Sequence, residues 1–393
     1  SLEQFKNPVT EFIPVARISD MLLEPGKVFS YNGKEIKYPD IKLVYWAGGN
    51  PFHHQMNLKK LSKAFKQPDT IVVNEIWWNS LARHSDIILP ATTSLERNDI
   101  SIKHWDQTIS PMYKAIEPIG ESKSDYDIFS EIASKLNFKD KFTEGKDEDK
   151  WLRFIWDEAR SKAKDEGFTL PEFDKFWKNG FQEVLSPKKQ TILLEQFRKD
   201  PEKNPISTPS GKIEIFSETV DSFNYEDCPG HPAWLEQEEW LGSNLSKQYP
   251  LQLISGQPHN RLHSQLDNGS ESQSYKILGR EPIKIHPQDA QARRLVDGDV
   301  VEVFNKRGRC LAGVIVSNEV MKGVVFLPVG AWYDPINDGE FCIHGNPNVL
   351  TEDIGTSSLA QGPSAHSTLV EIKKYTKELP EINILYKPNI LNK

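Results

Sequence analysis

Cysteine is scarce. The 393 residues hold three, Cys228, Cys310 and Cys342, far apart and without a CxxC. That spacing supports neither an iron–sulfur cluster nor a structural zinc, and unpaired core thiols are expected. Long apolar runs are missing too. None approaches the ~20 residues that cross a bilayer, so no membrane span is expected. Positive charge is in deficit: the formal charge of −8 argues against general nucleic-acid binding. It leaves room for an anionic nucleotide, because loop amides, helix N-termini and a few local Arg or His can hold a pyrophosphate. There is no GxGxxG, so an ordinary NAD fold is not indicated. An initial Met is absent as well. The start, SLEQFKNP, fits a chain cut from a longer parent and says nothing secure about targeting.

What is present is ordinary in bulk: 37% hydrophobic and 26% charged residues, enough chain for at least two domains. Ten Trp suit large buried contacts. The informative stretch is residues 41–99. Three short Val- and Ile-rich runs, 41–47, 70–73 and 86–89, each end in a polar loop, and read as strands buried on both faces. Residues 57–67, with Leu58, Leu61 and Phe65 on one side, read as an amphipathic helix, and 77–84 as a shorter one. Strand, helix, strand, helix, strand implies a doubly wound parallel sheet whose loops lie at the carboxyl ends of the strands, where such sheets bind ligands. Gly48-Gly49 lets backbone approach a ligand, Asn50 offers a donor and an acceptor, and Glu75 sits where a ribose diol would be held. A tight turn and a solvated acid remain open alternatives.

Upstream, residues 15–23 have helical spacing and 28–37 read as a hairpin around Asn32-Gly33. Downstream, Glu96, Arg97 and Asp99 could form a surface ion-pair cluster. Residues 101–119 are mixed, with Trp105 and Pro111. Residues 122–136 read as a helix capped by Ser124, with Asp125 in its first turn, where it complements the dipole. Residues 137–205 read as a helical excursion, and 212–217 as a half-buried strand.

Beyond about residue 232 the character changes. Residues 251–254, 283–285, 300–304, 308–316, 323–327 and 368–372 read as strands, with one helix at 287–294. Many short strands with few helices imply a small closed barrel. Its first strand opens into SGQPHNRLHSQ, dense in donors. His259 and His263, four apart, could be a helical metal pair, but no HExxH pattern or third ligand accompanies them. Donors to ring and phosphate oxygens, or a polar surface loop, are the other readings. The long segment 329–362, weak in periodicity, is expected to be a functional or disordered loop, with Trp332 and Tyr333 packing over a ligand ring and Asn346, Asn348, Thr356, Ser357 and Ser358 as polar contacts. Residues 373–393 read as a surface tail.

Three motifs, GGNPFHHQ, RHSDIILPATTSLERNDI and SGQPHNRLHSQL, give the chain a resemblance to the molybdopterin oxidoreductases of the dimethyl sulfoxide reductase family. It is most similar to the trimethylamine-N-oxide, dimethyl sulfoxide and biotin sulfoxide reductase branch. The resemblance implies three parts: 1–40, the remnant of an upstream α/β region; 41–232, an α/β molybdopterin guanine dinucleotide-binding domain; and 233–393, a double-psi β-barrel that binds the same cofactor. It implies a molybdenum bis(molybdopterin guanine dinucleotide), with Asn50, His54, Asn74, Glu75, Asp86, Arg97 and Asp125 on a nucleotide tail. Asp125 would accept from the guanine edge. Gly256, Gln257, Pro258, His259, Arg261, His263, Ser264 and Asn348 would surround pterin and phosphates. His366 would be near them, at a place where an amide or Lys is expected.

The resemblance further implies that the first half of the enzyme, which carries the metal-ligating serine, lies outside this chain. The chain alone is then expected to be inactive and to contain no metal ligand or catalytic residue. Expected partners are that N-terminal half, a small S-oxide or N-oxide substrate and an electron-donor protein, in the periplasm or alternatively the cytoplasm. A non-catalytic nucleotide-binding or scaffold protein, and a formate dehydrogenase or nitrate reductase relative, are the competing readings.

Overall fold

The computed structural model describes residues 6–103, 107–184 and 192–388. Trp105, the first five residues and the last five of the tail lie outside these. The chain divides into two compact units. One holds Asn74–Ile76 and Leu89–Glu214; the other holds Glu11–Val73, Trp77–Ile88 and Ile215–Lys393.

The expected hairpin forms from β1 (Val28–Tyr31) and β2 (Lys34–Lys37), antiparallel, turning through Asn32 and Gly33, both with positive φ, as a two-residue hairpin requires. Strands β3 (Leu43–Ala47), β4 (Thr70–Glu75) and β5 (Ile87–Pro90) make a three-stranded sheet in sequential order. The helix Leu58–Ala64 buries Leu58, Leu61 and Ala64, and its N-cap Asn57 accepts from Lys60 N–H. Burial on both faces is not what these strands show. Val44, Trp46, Ile71, Val73 and Ile88 pack on the core, whereas Leu43 is 58% and Ile87 48% exposed. β3 therefore alternates in the manner of a half-buried strand.

The first unit adds β6 (Asp99–Ile102), β7 (Thr108–Met112) and β8 (Gln182–Glu183), an antiparallel ribbon. Its helices include Asp125–Lys135, where Ser124 Oγ accepts from Asp127 N–H as its cap, then Glu148–Asp165 and Phe173–Asn179. The last two close on a small core in which Trp156 stacks on Phe176 at 3.7 Å. The strand expected at 212–217 does not form; Ile213 and Ile215 are 66% and 81% exposed. Local bonds occupy its backbone instead: Thr208 Oγ1 donates to Lys212 O, and Ser210 N–H donates to Glu214.

The second unit continues with β9 (Leu251–Ile254), β10 (Pro282–Ile285), β11 (Val300–Phe304), β12 (Arg309–Val316), β13 (Val324–Phe326), β14 (Pro335–Ile336), β15 (Phe341–Cys342) and β16 (Leu369–Lys374). Six of them close a ring, β10-β13-β9-β16-β11-β12, sealed by a parallel pairing of β10 with β12. β15 and β14 extend it from β12. Leu253, Ile283, Val301, Val303, Ala312, Val325 and Val370 are wholly buried and share one core with Phe52, Leu58, Leu61 and Ile71. The segment beginning at Val329 is no disordered loop: residues 330–334 and 341–351 are buried throughout. It plugs one end of the core because its side chains bond inward. Tyr333 lies parallel to Phe52 at 5.7 Å and its hydroxyl donates to Gly339 O; Trp332 Nε1 donates to Ser264 O. Both rings serve packing rather than an open ligand face.

Candidate functional site

Within the second unit, two motifs distant in sequence meet. Gly48 and Gly49, both near φ +83°, turn the chain out of β3 into the one-turn helix Pro51–His54. Asn50 caps it, accepting from Phe52 N–H, while its Nδ2 donates to Ser264 Oγ at 3.4 Å. That helix aims His53 at the loop leaving β9. His53 Nε2 lies 3.2 Å from His263 Nδ1, which also lies 2.9 Å from Gln257 Nε2. An amide nitrogen can only donate, so His263 Nδ1 accepts and His53 Nε2 carries its proton. His53 Nδ1 is then a buried lone pair, and no protein group reaches it.

Asn348 lies behind the turn and donates to His53 O at 2.6 Å, while Asn346 donates to Phe52 O and Ala331 O. Both amides therefore hold the turn in place. Gln55 is wholly buried with neither end of its amide partnered, and Asn260 Nδ2 is another buried orphan. Burying polar groups unpaired is costly. A ligand rich in ring nitrogens, carbonyls and phosphate oxygens fits this set, and an apolar one does not. His53 and Gln55 escaped the sequence reading, although one helical turn after a Pro necessarily carries residues 50, 53 and 54 together.

Of the other expected residues here, His54, Gln257 and His259 are exposed, and Gly256 and Pro258 are half-buried. The Arg261 side chain is only 2% exposed and donates to Val329 O. The structure does not bring Asp86 or His366 into this cluster by any bond: Asp86 accepts from Ile71 N–H at 2.8 Å, and His366 offers its carbonyl to Gln252. His263 has φ +55° in an irregular loop, so the helical metal pair does not exist. Among the described residues no group of three His, Cys, Asp or Glu is placed to hold a metal, and no helix is long and apolar enough to cross a membrane. Cys310 and Cys342 are buried, Cys228 only partly.

The first unit carries the rest. Asn74 Nδ2 donates to Asp125 Oδ1 at 2.8 Å, and Glu75 Oε1 accepts from Ile76 N–H. Arg97 pairs with Asp99. Arg97, Asp99 and Asp125 line one cavity of about 810 Å³, walled by Tyr126, Phe142 and Trp151. Aromatic walls with carboxylates at one side suit a flat base that presents donors.

Burial holds His53 and His344 neutral. It lowers His53 to about 4, helped by nearby His263, His54 and Arg261, and lowers His344 to about 3. His84 is lowered by burial as well. Their folded values lie below the free value, so the unfolded chain binds protons first. Their contribution is complete above about pH 6.5 and is lost as pH falls toward 4 and 3. Urea unfolding is expected to show stability dropping below pH 6.5 by more than one proton's slope, about 1.4 kcal/mol per pH unit for each histidine. A flat profile between pH 7 and 5 would contradict this burial.

Residues 8–135 match the molybdopterin oxidoreductase family model, and residues 251–369 match the Molydopterin dinucleotide binding domain. The chain is 47% identical to a trimethylamine-N-oxide reductase of Haemophilus influenzae, covering 95% of this chain and 46% of that protein. It is 44% identical to a biotin sulfoxide reductase of Cereibacter sphaeroides, covering 98% and 52%. It is 45% identical to a dimethyl sulfoxide/trimethylamine N-oxide reductase of Rhodobacter capsulatus, covering 93% and 45%. The chain thus spans about half the length of the curated relatives it matches. In fold it is similar to acetylene hydratase from Pelobacter acetylenicus, with TM-score 0.66 and 19% identity over 86% of this chain and 45% of that one. The cofactor that goes with these two domains is a molybdenum-bearing molybdopterin. The chain belongs to the molybdopterin oxidoreductases of the dimethyl sulfoxide reductase family, in the branch of the trimethylamine-N-oxide, dimethyl sulfoxide and biotin sulfoxide reductases.

Proposed function

We propose that this chain forms part of the cofactor cradle of an enzyme that removes oxygen from small S-oxides or N-oxides. The carrying observation is the meeting of the Asn50–His54 turn with the Gln257–Ser264 loop. When bound, the cofactor supplies the metal that accepts the oxygen atom and relays electrons. The residues here bind it, orient it and exclude water. In this reading there are two molybdopterin guanine dinucleotides per molybdenum. Asp125 accepts from the N1 and N2 donors of one guanine, Arg97 attends its phosphates and Glu75 its ribose diol. β3–β5 belong to a larger doubly wound sheet, the six-stranded ring is a double-psi barrel, and the functional boundary falls near residue 232. The counterpart of the relatives' remaining length supplies the metal ligand, an electron-donor protein reduces the centre, and the compartment is the periplasm.

Glu75→Ala tests the reading in the loaded enzyme assayed with trimethylamine N-oxide and dimethyl sulfoxide. Losing charge-assisted bonds to a diol should weaken cofactor retention about tenfold. Turnover per bound molybdenum should change by less than about twofold, because Glu75 has no part in the oxygen transfer. Unchanged occupancy would remove the ribose assignment, and no turnover of either oxide by the parent enzyme would remove the substrate class.

A further inference from the structure

Behind the loop of the second unit lies a group of four charges, of which the cofactor reading gives a role to Arg261 alone. Arg261, Asp267, Lys276 and Glu281 have side chains 2%, 0%, 1% and 3% exposed. Lys276 Nζ lies 2.8 Å from Asp267 Oδ1 and 2.5 Å from Glu281 Oε2. Arg261 Nη2 lies 3.1 Å from Glu281 Oε1, and its Nε lies 3.6 Å from Asp267 Oδ1. Two cations face two anions, so the tetrad is neutral only as a whole. Asp267 Oδ2 also accepts from Trp332 N–H at 2.8 Å, and His344 Nδ1 stands 3.6 Å from that oxygen while bonding Trp332 O at 3.0 Å. Burial alone would raise the Asp267 carboxyl; Lys276 and Arg261 hold it down at about 2.

Two further bonds tie the loop to the segment that begins at Val329. Arg261 Nη2 reaches Val329 O, and Trp332 Nε1 reaches Ser264 O. Gly330 packs so closely that a Cβ would sit 2.0 Å from His263 O. We propose that the tetrad is a clamp that fixes the loop before any ligand arrives, with Arg261 and Asp267 as positioning residues and Gln257, His263 and Ser264 as the groups presented. Buried ion groups of this kind add little net stability over apolar packing, yet removing one member leaves an uncompensated charge. That asymmetry separates a clamp from mere packing.

The ligand's identity rests on the cofactor reading, but the order of the loop can be read without it. In cofactor-free protein, hydrogen exchange of the amides of residues 257–266 should speed up about a hundredfold in Asp267→Asn and in Lys276→Met, with β11 and β12 unchanged. The double variant restores neutrality and should return to within about tenfold of the parent. If Asp267→Asn does not fold, Arg261→Met carries the same expectation. Loop exchange unchanged in the single variants, or a double variant as fast as either, would overturn the clamp. Faster loop exchange with unchanged cofactor retention in the loaded protein would uphold the clamp and remove the cofactor reading of the loop.

Discussion

Gly330→Ala is expected to dislodge the barrel loop and cost about 3–5 kcal/mol, the sum of a disfavoured backbone conformation and overpacking. Gly330 has φ +102°, a region in which an L-residue with a side chain is strained. The space is also taken. A Cβ would lie 2.0 Å from His263 O and 3.1 Å from Arg261 Nε, so neither backbone can hold its place. The plug cannot yield easily, because Ala331, Trp332 and Tyr333 are buried beside it. The loop must therefore move, and it carries Gln257, His263 and Ser264 with it. Urea unfolding should show the destabilisation, and His263 ring resonances should shift. A variant with parental stability and unshifted His263 signals would show that the close approach does not constrain the loop.

Much of this arrangement was legible in the sequence. The barrel strands fall within a residue or two of their expected places because each is a short apolar run ended by a turn, as at Asn305–Gly308 between β11 and β12. Ser124 caps its helix as read, since capping is local chemistry. What failed depended on neighbours. An alternating run at 212–217 cannot tell whether a partner strand exists, and an apolar β3 cannot tell that only one of its faces is covered. The 329–351 segment looked irregular because its strands, β14 and β15, are only two residues long, so its buried residues follow no period. Asn348, read as a ligand contact, bonds His53 O through its Nδ2. The charge tetrad is spread from Arg261 to Glu281, and nothing in composition distinguishes those four from surface ions. The resemblance supplied the cofactor, which spacing alone did not.

The second large effect concerns the two histidines where the motifs meet. His53 is buried, with its Nδ1 unpartnered, and its Nε2 faces His263. Removing either ring takes away one member of the Gln257–His263–His53 chain and the polar groups it orients. Cofactor affinity is expected to fall about a hundredfold for His53→Ala, with a lost ligand bond and an unmatched ligand donor acting together. The fall should be about tenfold for His263→Ala, whose ring is exposed and whose loss Gln257 partly offsets. Stability should change little for His263→Ala, so its effect belongs to binding rather than folding.

The most direct measurement is pterin and molybdenum content per protein in the loaded enzyme containing this chain, for the parent, His53→Ala and His263→Ala, after identical dialysis. Both variants should lose pterin and metal in the same ratio, His53→Ala the more completely. Full content in either variant, with its fold intact, would contradict a cofactor held jointly by the Asn50–His54 turn and the barrel loop.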